Sequence, residues 1–422
     1  MSIIEPTTSA PHYAGSTITL HHGDCLDALR SLSDVSIDAV VTDPPYGIRF
    51  MGQAWDGADI VNRTARGKET SPMPPGIGGP NGGYRSAAAE AGRYDQSASA
   101  NQQFQTWVTE WAVECLRVLK PGGHLLASGS SRTGHRLAAG IEDAGFEIRD
   151  SIAWLYGSGF PKSLNLTDDD GQRTGWGTAL KPAFEPIVVA RKPLMGTVAA
   201  NVLTHGTGAL NVDGCRVAGG DTLVRPPILR HDNDVLGKGL GAGVQDNPSG
   251  RWPANVVLDA SQAEVLDEQS GTLTSGTYSG KRNGDKFRDV YGEFGGTTPG
   301  VDGHDGSTGG ASRFFYVAKA DASERVRVNG IAHPTVKPLA LMRWLVRLVT
   351  PPGGTVLEPF AGSGTTVEAC ILEGFRCIAI EREADYLPLV VQRINRRRDP
   401  VEAVRGSGED GGLFDLLGEA SA

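Results

Sequence analysis

The chain has 422 residues, 39% of them hydrophobic and 21% charged, enough to bury one large core or two ordinary ones and ordinary for a soluble protein. No apolar run approaches a membrane span and no basic-then-apolar leader opens the chain; five scattered cysteines without metal-ligand spacing argue against a disulfide scaffold or a zinc module and point to reduced thiols in a cytoplasm. The net charge of −9 neither supports nor excludes a nucleic-acid partner, because residues 181–343 are close to neutral and the flanks carry the excess acid.

Residues 17–32 read as a strand, a turn at Gly23-Asp24 and a short helix that Asp24 can cap. An apolar run at 37–41 reads as a buried strand and ends in Asp43-Pro44-Pro45-Tyr46. Residues 52–101 are rich in Gly, Ala, Ser and Pro, and are expected to form a flexible insertion or a flap beside a site. Phe104, Trp107, Trp111, Cys115 and Val118 recur at helical spacing and predict an amphipathic helix, stopped by Lys120-Pro121-Gly122-Gly123. Strands are predicted at 124–127, 146–156 and 184–190, with a helix at 133–144. This alternation predicts an α/β fold with a mostly parallel sheet covered on both faces. Between 193 and 329 the alternation breaks, so this stretch is expected to be a separate module or large insertion closed by a strand at 313–317. It resumes with helices at 336–349, 365–373 and 384–397 and strands at 355–357 and 377–381. The expected organisation is therefore two halves of one domain, 1–192 and 330–399, around an inserted region, 193–329, with a loose acidic tail, 400–422.

Two segments carry chemistry. Glu358-Pro359-Phe360-Ala361-Gly362-Ser363-Gly364-Thr365 makes a glycine turn that opens a helix. Gly362 and Gly364 let backbone approach a ligand, the helix start near Thr365 suits an anion, and an acid about 20 positions on, here Glu381, suits ribose hydroxyls. Alone, this turn is as often structural as ligand-binding. In the first segment, Asp43 and the Pro44 carbonyl offer two acceptors to the two hydrogens of an exocyclic amino group, leaving the nitrogen lone pair free for a methyl donor. Tyr46 can stack on the base. The bland reading of that tetrapeptide is a Pro-Pro stop after a strand.

Asp43-Pro44-Pro45-Tyr46 followed far downstream by Phe360-Ala361-Gly362-Ser363-Gly364 resembles the DNA amino-methyltransferases, in the beta group whose catalytic motif precedes the cofactor motif. His333-Pro334-Thr335-Val336-Lys337-Pro338 is similar to the family segment before the cofactor strand, and residues 20–29 to the one before the catalytic strand. The resemblance covers most of the α/β portions. It implies a Rossmann-like seven-stranded sheet with one antiparallel strand in permuted motif order, an inserted target-recognition region, and S-adenosylmethionine as cofactor. It implies catalysis by Asp43, Pro44, Pro45 and Tyr46. Its cofactor site would use Asp24, Thr335, Lys337, Glu358, Pro359, Phe360, Ala361, Gly362, Ser363, Gly364, Thr365 and Glu381, with Asp24 and Phe360 near the adenine and Thr335 and Lys337 near the methionine end. The expected substrate is double-stranded DNA in a bacterial or phage-infected cytoplasm, with the target base swung out. The Asp-first motif favours adenine N6 over cytosine N4. A separate restriction endonuclease is a possible partner, and a monomer or a homodimer is open.

Trp154, Tyr156 or Phe160 would form a second wall for the base. Sequence recognition falls to 193–329, where Arg216, Arg225, Arg230, Arg251, Lys281, Arg282, Lys286 and Arg288 are available to phosphates or guanine, the cluster Lys281-Arg282-Asn283-Gly284 foremost. Three rivals stay open. Glutamine or RNA amino-methylases usually have Asn first and the cofactor motif upstream. A nicotinamide oxidoreductase leaves the Asp-Pro-Pro-Tyr segment unexplained. A DNA-binding module with a decayed site would bind cofactor without transferring methyl.

Overall fold

The computed structural model describes residues 11–47, 98–159, 163, 165–166, 174–217, 250–274, 307–319 and 321–397. The expected insertion at 52–101, apart from its last four residues, and the tail at 400–422 lie outside these.

The first half runs β1 (Tyr13–Ala14), β2 (Ile18–His22), α1 (Cys25–Ser31), β3 (Ile37–Thr42), α2 (Ala98–Val118), β4 (Leu119–Ser128), α3 (Gly134–Asp143), β5 (Glu147–Leu155), the small pair β6 (Asn165–Leu166) and β7 (Trp176–Gly177), and β8 (Phe184–Arg191). Then come α4 (Val198–His205), β9 (Val256–Asp259), α5 (Ala260–Ser270), the pair β10 (Leu273–Thr274) and β11 (Thr308–Gly309), and β12 (Tyr316–Ala318). The last part is α6 (Leu339–Val349), β13 (Thr355–Glu358), α7 (Thr365–Glu373), β14 (Arg376–Glu381) and α8 (Leu387–Asn395).

The main sheet has the order β1-β2-β14-β13-β3-β4-β8-β5-β9-β12. From β2 to β5 it is the expected seven strands, with β8 antiparallel to both its neighbours. Both faces are covered: α1, α2 and α3 pack on one, α6, α7 and α8 on the other. Hence β3 is buried at all six positions, as a strand sandwiched between helical layers must be. Its Asp38 is buried but satisfied, accepting from the Lys120 ammonium (2.6 Å) and the Thr355 N–H (2.8 Å), and so ties β3 to both neighbours.

Three expectations change. Lys120-Pro121-Gly122-Gly123 does end α2, but it forms the start of β4 rather than a loop; Gly122, at φ +77°, and a register shift against β3 absorb the bend. Residues 193–329 do not stand wholly apart from the sheet: β9 pairs with β5 and β12 with β9, because their apolar side chains Val257, Leu258 and Ala318 are buried there. The strand foreseen at 313–317 is a turn of 3-10 helix at Ala311–Phe314 followed by β12. Val217 bridges Arg251, and β10 pairs with β11, so the chain leaves and re-enters this region at hydrogen-bonded positions. Among the described residues no helix is long and apolar enough to cross a membrane.

Candidate active site

The parallel strands β3 and β13 are neighbours, with Val356 opposite Ala39 and Leu357 opposite Val40. Their carboxyl ends therefore lie side by side, although about 300 residues separate them in the chain. The Thr42 hydroxyl at the end of β3 donates to the Glu358 carboxylate at the end of β13. Glu358 also accepts from the Thr366 hydroxyl (2.5 Å) and the Phe360 N–H (3.1 Å). Its oxygens are thus turned inward, and it serves as the clamp between the two strand ends and α7. Beyond the clamp, both signature turns open onto one cavity of about 960 Å³, the size of a site for a small molecule with room to spare.

Burial raises the Glu358 pKa to about 8. The folded chain then holds a proton that the unfolded chain releases near its ordinary value, so stability is full below about 4.5 and falls as pH rises through about 8. Glu358→Gln should flatten that fall by an amount on the order of a few kcal/mol. Urea unfolding at pH 5 and pH 8.5 checks it; an unchanged difference between the two would contradict the burial argument. Glu381, pushed up to about 7 by burial, contributes in the same sense, so the slope shrinks without vanishing.

On the glycine-turn side, Gly362 sits at φ +51°, and a Cβ there would come within 3.2 Å of His333. Its N–H donates to Glu381 at 2.6 Å, and the Glu383 N–H donates to the other oxygen at 2.8 Å. Glu381 is thus fixed at the end of β14, facing the cavity. Asp24 does two jobs: it accepts from the Leu26 N–H (2.9 Å) as the cap of α1, and it lines the cavity. Phe360 lies with its ring centroid 5.6 Å from those of both Trp107 and Trp111 of α2. Pro359, Ala361, Ser363, Thr365 and Thr335 also line the cavity, and the Thr335 carbonyl lies against His333 Nδ1. Gly364 does not reach it. At φ +80° it caps α7, and a Cβ there would meet Val390 of α8 at 3.0 Å. Its smallness admits a helix rather than a ligand.

On the other side stands a polar cluster. Lys337 Nζ donates to Asp43 Oδ1 (2.8 Å) and Oδ2 (2.7 Å) and to the Tyr46 hydroxyl (2.8 Å), and lies 3.1 Å from Glu185 Oε2. The Tyr46 hydroxyl is within donating distance of Asp43 Oδ1 (2.9 Å) and Glu185 Oε2 (3.0 Å). Lys337, expected at the methionine end of a cofactor, is therefore bound to the catalytic motif. Two carboxylates outweigh burial and raise its pKa above the ordinary lysine value. Burial first, and then the two carboxylates, hold the Tyr46 phenol well above its usual range. The Thr133 hydroxyl donates to the Tyr46 carbonyl at 2.9 Å and sets the turn.

Trp154 and Tyr156, 5.0 Å apart between ring centroids, line the cavity as the proposed wall; Phe160 is outside the described residues. Two residues of the site were given no role there from sequence. Glu185 sits in β8 with no motif around it, and Trp107 was visible only as a helix core position. Of the cations proposed for DNA contact, Arg216 and Arg251 are described; the other six are not. Arg251 precedes β9, a strand parallel to β5, whose far end runs toward Tyr156 and the cavity. Arg251 does not line the cavity; it donates to Ser307 (2.8 Å), and Arg216 lies beside it, bonded to Asp213 (2.9 Å).

A family model described as DNA methylase matches residues 37–392 of this chain. Over 209 residues the chain is 26% identical to the Type II methyltransferase M.HindIII of Haemophilus influenzae, covering 46% of this chain and 64% of that protein. It is 40% identical over 63 residues to the DNA adenine methyltransferase YhdJ of Escherichia coli, covering 15% of this chain and 21% of that one. The chain thus spans less than two-thirds of the length of either relative. Among solved structures it is similar to PvuII DNA methyltransferase (cytosine-N4-specific), at 14% identity and a TM-score of 0.44 over 92% of this chain and 89% of that one. It is also similar to M1.HpyAVI, at 15% identity and 0.39 over 90% and 98%.

Proposed function

Because the chain belongs to the DNA methylase family, we propose that it moves a methyl group from S-adenosylmethionine to the exocyclic amino group of a base swung out of double-stranded DNA, adenine N6 in preference to cytosine N4. The observation that carries this reading is the pair of adjacent parallel strand ends that bring Asp43 and Gly362 to one cavity.

The residues on the glycine-turn side fit the cofactor. Phe360, held by two tryptophans, gives a flat apolar wall for an adenine. The Glu381 carboxylate, already fixed by two backbone N–H groups, keeps lone pairs for a ribose diol. The start of α7 presents unpaired N–H groups to a carboxylate. When bound, S-adenosylmethionine supplies an electrophilic methyl on a sulfonium. Glu381→Ala should weaken its binding by about 10- to 100-fold, the worth of hydrogen bonds to a charged group. Isothermal calorimetry measures this, and an unchanged dissociation constant would remove Glu381 from the site.

On the other side the chain binds, orients and discharges the amine. Asp43 Oδ1 is already engaged by Lys337 and Tyr46, whereas Oδ2 is engaged by Lys337 alone, so Oδ2 keeps the open lone pair. That atom and the Pro44 carbonyl take the two amino hydrogens and aim the nitrogen lone pair. Tyr46, Trp154 and Tyr156 hold the base faces and exclude water. Positioning and fixed dipoles provide the rate, without a strong base.

Sequencing of modified bases in DNA from cells expressing the chain tests the proposal and reports base, atom and site together; unmodified DNA would refute it, and N4-methylcytosine would overturn the adenine preference. Adenine is favoured by the Asp-first motif and by the likeness to a relative named as a DNA adenine methyltransferase. Residues 193–329 are proposed to carry target recognition, although Arg216 and Arg251 do not line the cavity. A cytoplasmic setting and a restriction endonuclease partner are proposed from the likeness to M.HindIII; a stand-alone role, as monomer or dimer, is the other outcome.

A further inference from the structure

Lys337 brings three protons and Tyr46 one, yet the cluster holds six contacts between donors and acceptors within 3.1 Å. Contacts therefore outnumber protons. Two carboxylates against one ammonium also leave one negative charge in excess. Methyl transfer creates the matching need. The nitrogen uses its lone pair to form the N–C bond, the electrons of the broken S–C bond remain on sulfur, and the nitrogen, now carrying four bonds and a positive charge, must shed one proton.

We propose that Glu185 is the terminal acceptor of that proton, which passes from the nitrogen to Asp43 Oδ2 and, once the neutral carboxyl turns about its Cβ–Cγ bond to bring that oxygen to the phenol, on through the Tyr46 hydroxyl: the phenol takes the proton from Asp43 as it gives its own to Glu185 Oε2. This rests on the methyltransfer reading. The distances along the path, 2.9 and 3.0 Å, are those of ordinary hydrogen bonds. Tyr46 does not ionise on the way, because burial and the two carboxylates oppose a phenolate. Lys337 contacts every member of the path and holds both carboxylates in range, so it positions rather than relays. The ionisable groups facing Glu185 are Asp43, Tyr46 and Lys337, with Tyr156 nearby just past the end of β5. Glu185 lies on the antiparallel strand β8, with its side chain 20% exposed, so it is buried enough to be directed and open enough to hand the proton to water.

The test compares the full-length wild type with Glu185→Gln, Tyr46→Phe and the double variant. Single-turnover methylation of target duplex is followed from pH 5.5 to 9, with cofactor affinity measured in parallel. A relay predicts that each single variant loses at least about tenfold in rate, that the two share one altered pH profile, that cofactor affinity stays within about twofold, and that the double variant is no slower than the slower single one. Wild-type rates, or losses that multiply in the double variant, would overturn it. A second measurement needs no turnover: carbon-13 NMR of the side-chain carboxyls. At fixed pH, Tyr46→Phe should move the resonances of both the Asp43 and the Glu185 carboxyls, because the phenol bonds to both. An unmoved resonance at either carboxyl overturns the relay even if the chain methylates DNA, and shifts at both in a chain that leaves DNA unmodified would sink the methyltransfer reading alone.

Discussion

Asp43→Ala is expected to lower the single-turnover methylation rate by about a thousandfold while S-adenosylmethionine affinity changes little. The size follows from what the carboxylate does. On the proposed reading its Oδ2 is the side-chain oxygen of the Asp-Pro-Pro-Tyr segment left open for the amine, and without it the nitrogen lone pair would stay delocalised into the ring. The fold should survive, because the Lys337 ammonium keeps Glu185 at 3.1 Å and the Tyr46 hydroxyl at 2.8 Å, so no buried charge is stranded. A rate within tenfold of wild type, in a variant whose thermal unfolding is unchanged, would take Asp43 out of the chemistry.

The largest effect on stability is expected far from the chemistry, at Glu368. This carboxylate is wholly buried in α7 and accepts from Arg393 (2.5 Å), from Arg396, and from Arg397 (2.8 Å). Arg393 is equally buried, and its other anchor is the Glu324 carbonyl at 2.5 Å. Glu368→Ala would leave that guanidinium charged, in the dry interior, without its counter-ion. A loss of about 3–5 kcal/mol is expected, read as a lower urea midpoint at constant slope. Replacing both partners, as Glu368→Leu with Arg393→Met, should recover much of it, because both desolvated charges then disappear. A single variant that loses under about 1 kcal/mol would show that water or backbone compensates. The ion cluster matters to the site because α7 and α8 hold the glycine turn between them: Gly364 packs on Val390.

Sequence patterns foretold the mostly parallel sheet and both signature turns because each is local: an apolar run, a Pro-Pro stop, a glycine pair before a helix; the count of seven strands came from the family resemblance. They also placed Glu381 at the end of its strand and Asp24 at the cap of the first helix. What they missed depends on contacts between distant residues. Glu185 meets Tyr46 from 139 positions away, and Lys337 meets Asp43 from 294. No periodicity announces such pairs, so Lys337 was assigned by family resemblance to a cofactor and Glu185 to nothing. At Gly364 a glycine at a turn signals close approach, and the packed helix shows that Val390 is one neighbour that approaches. The strands β9 and β12 were obscured by their shortness amid glycine-rich sequence, since a run of three or four apolar residues carries little pattern of its own.

The antiparallel bridge between Val217 and Arg251, and the pairing of Leu273–Thr274 with Thr308–Gly309, have an energetic consequence. Each fastens the two ends of an excursion to the scaffold, whatever lies between. Closing a longer excursion costs only about 0.6 kcal/mol per doubling of its length. A change in the length of either stretch therefore adds little to the cost of folding, because both of its ends stay fastened to the scaffold.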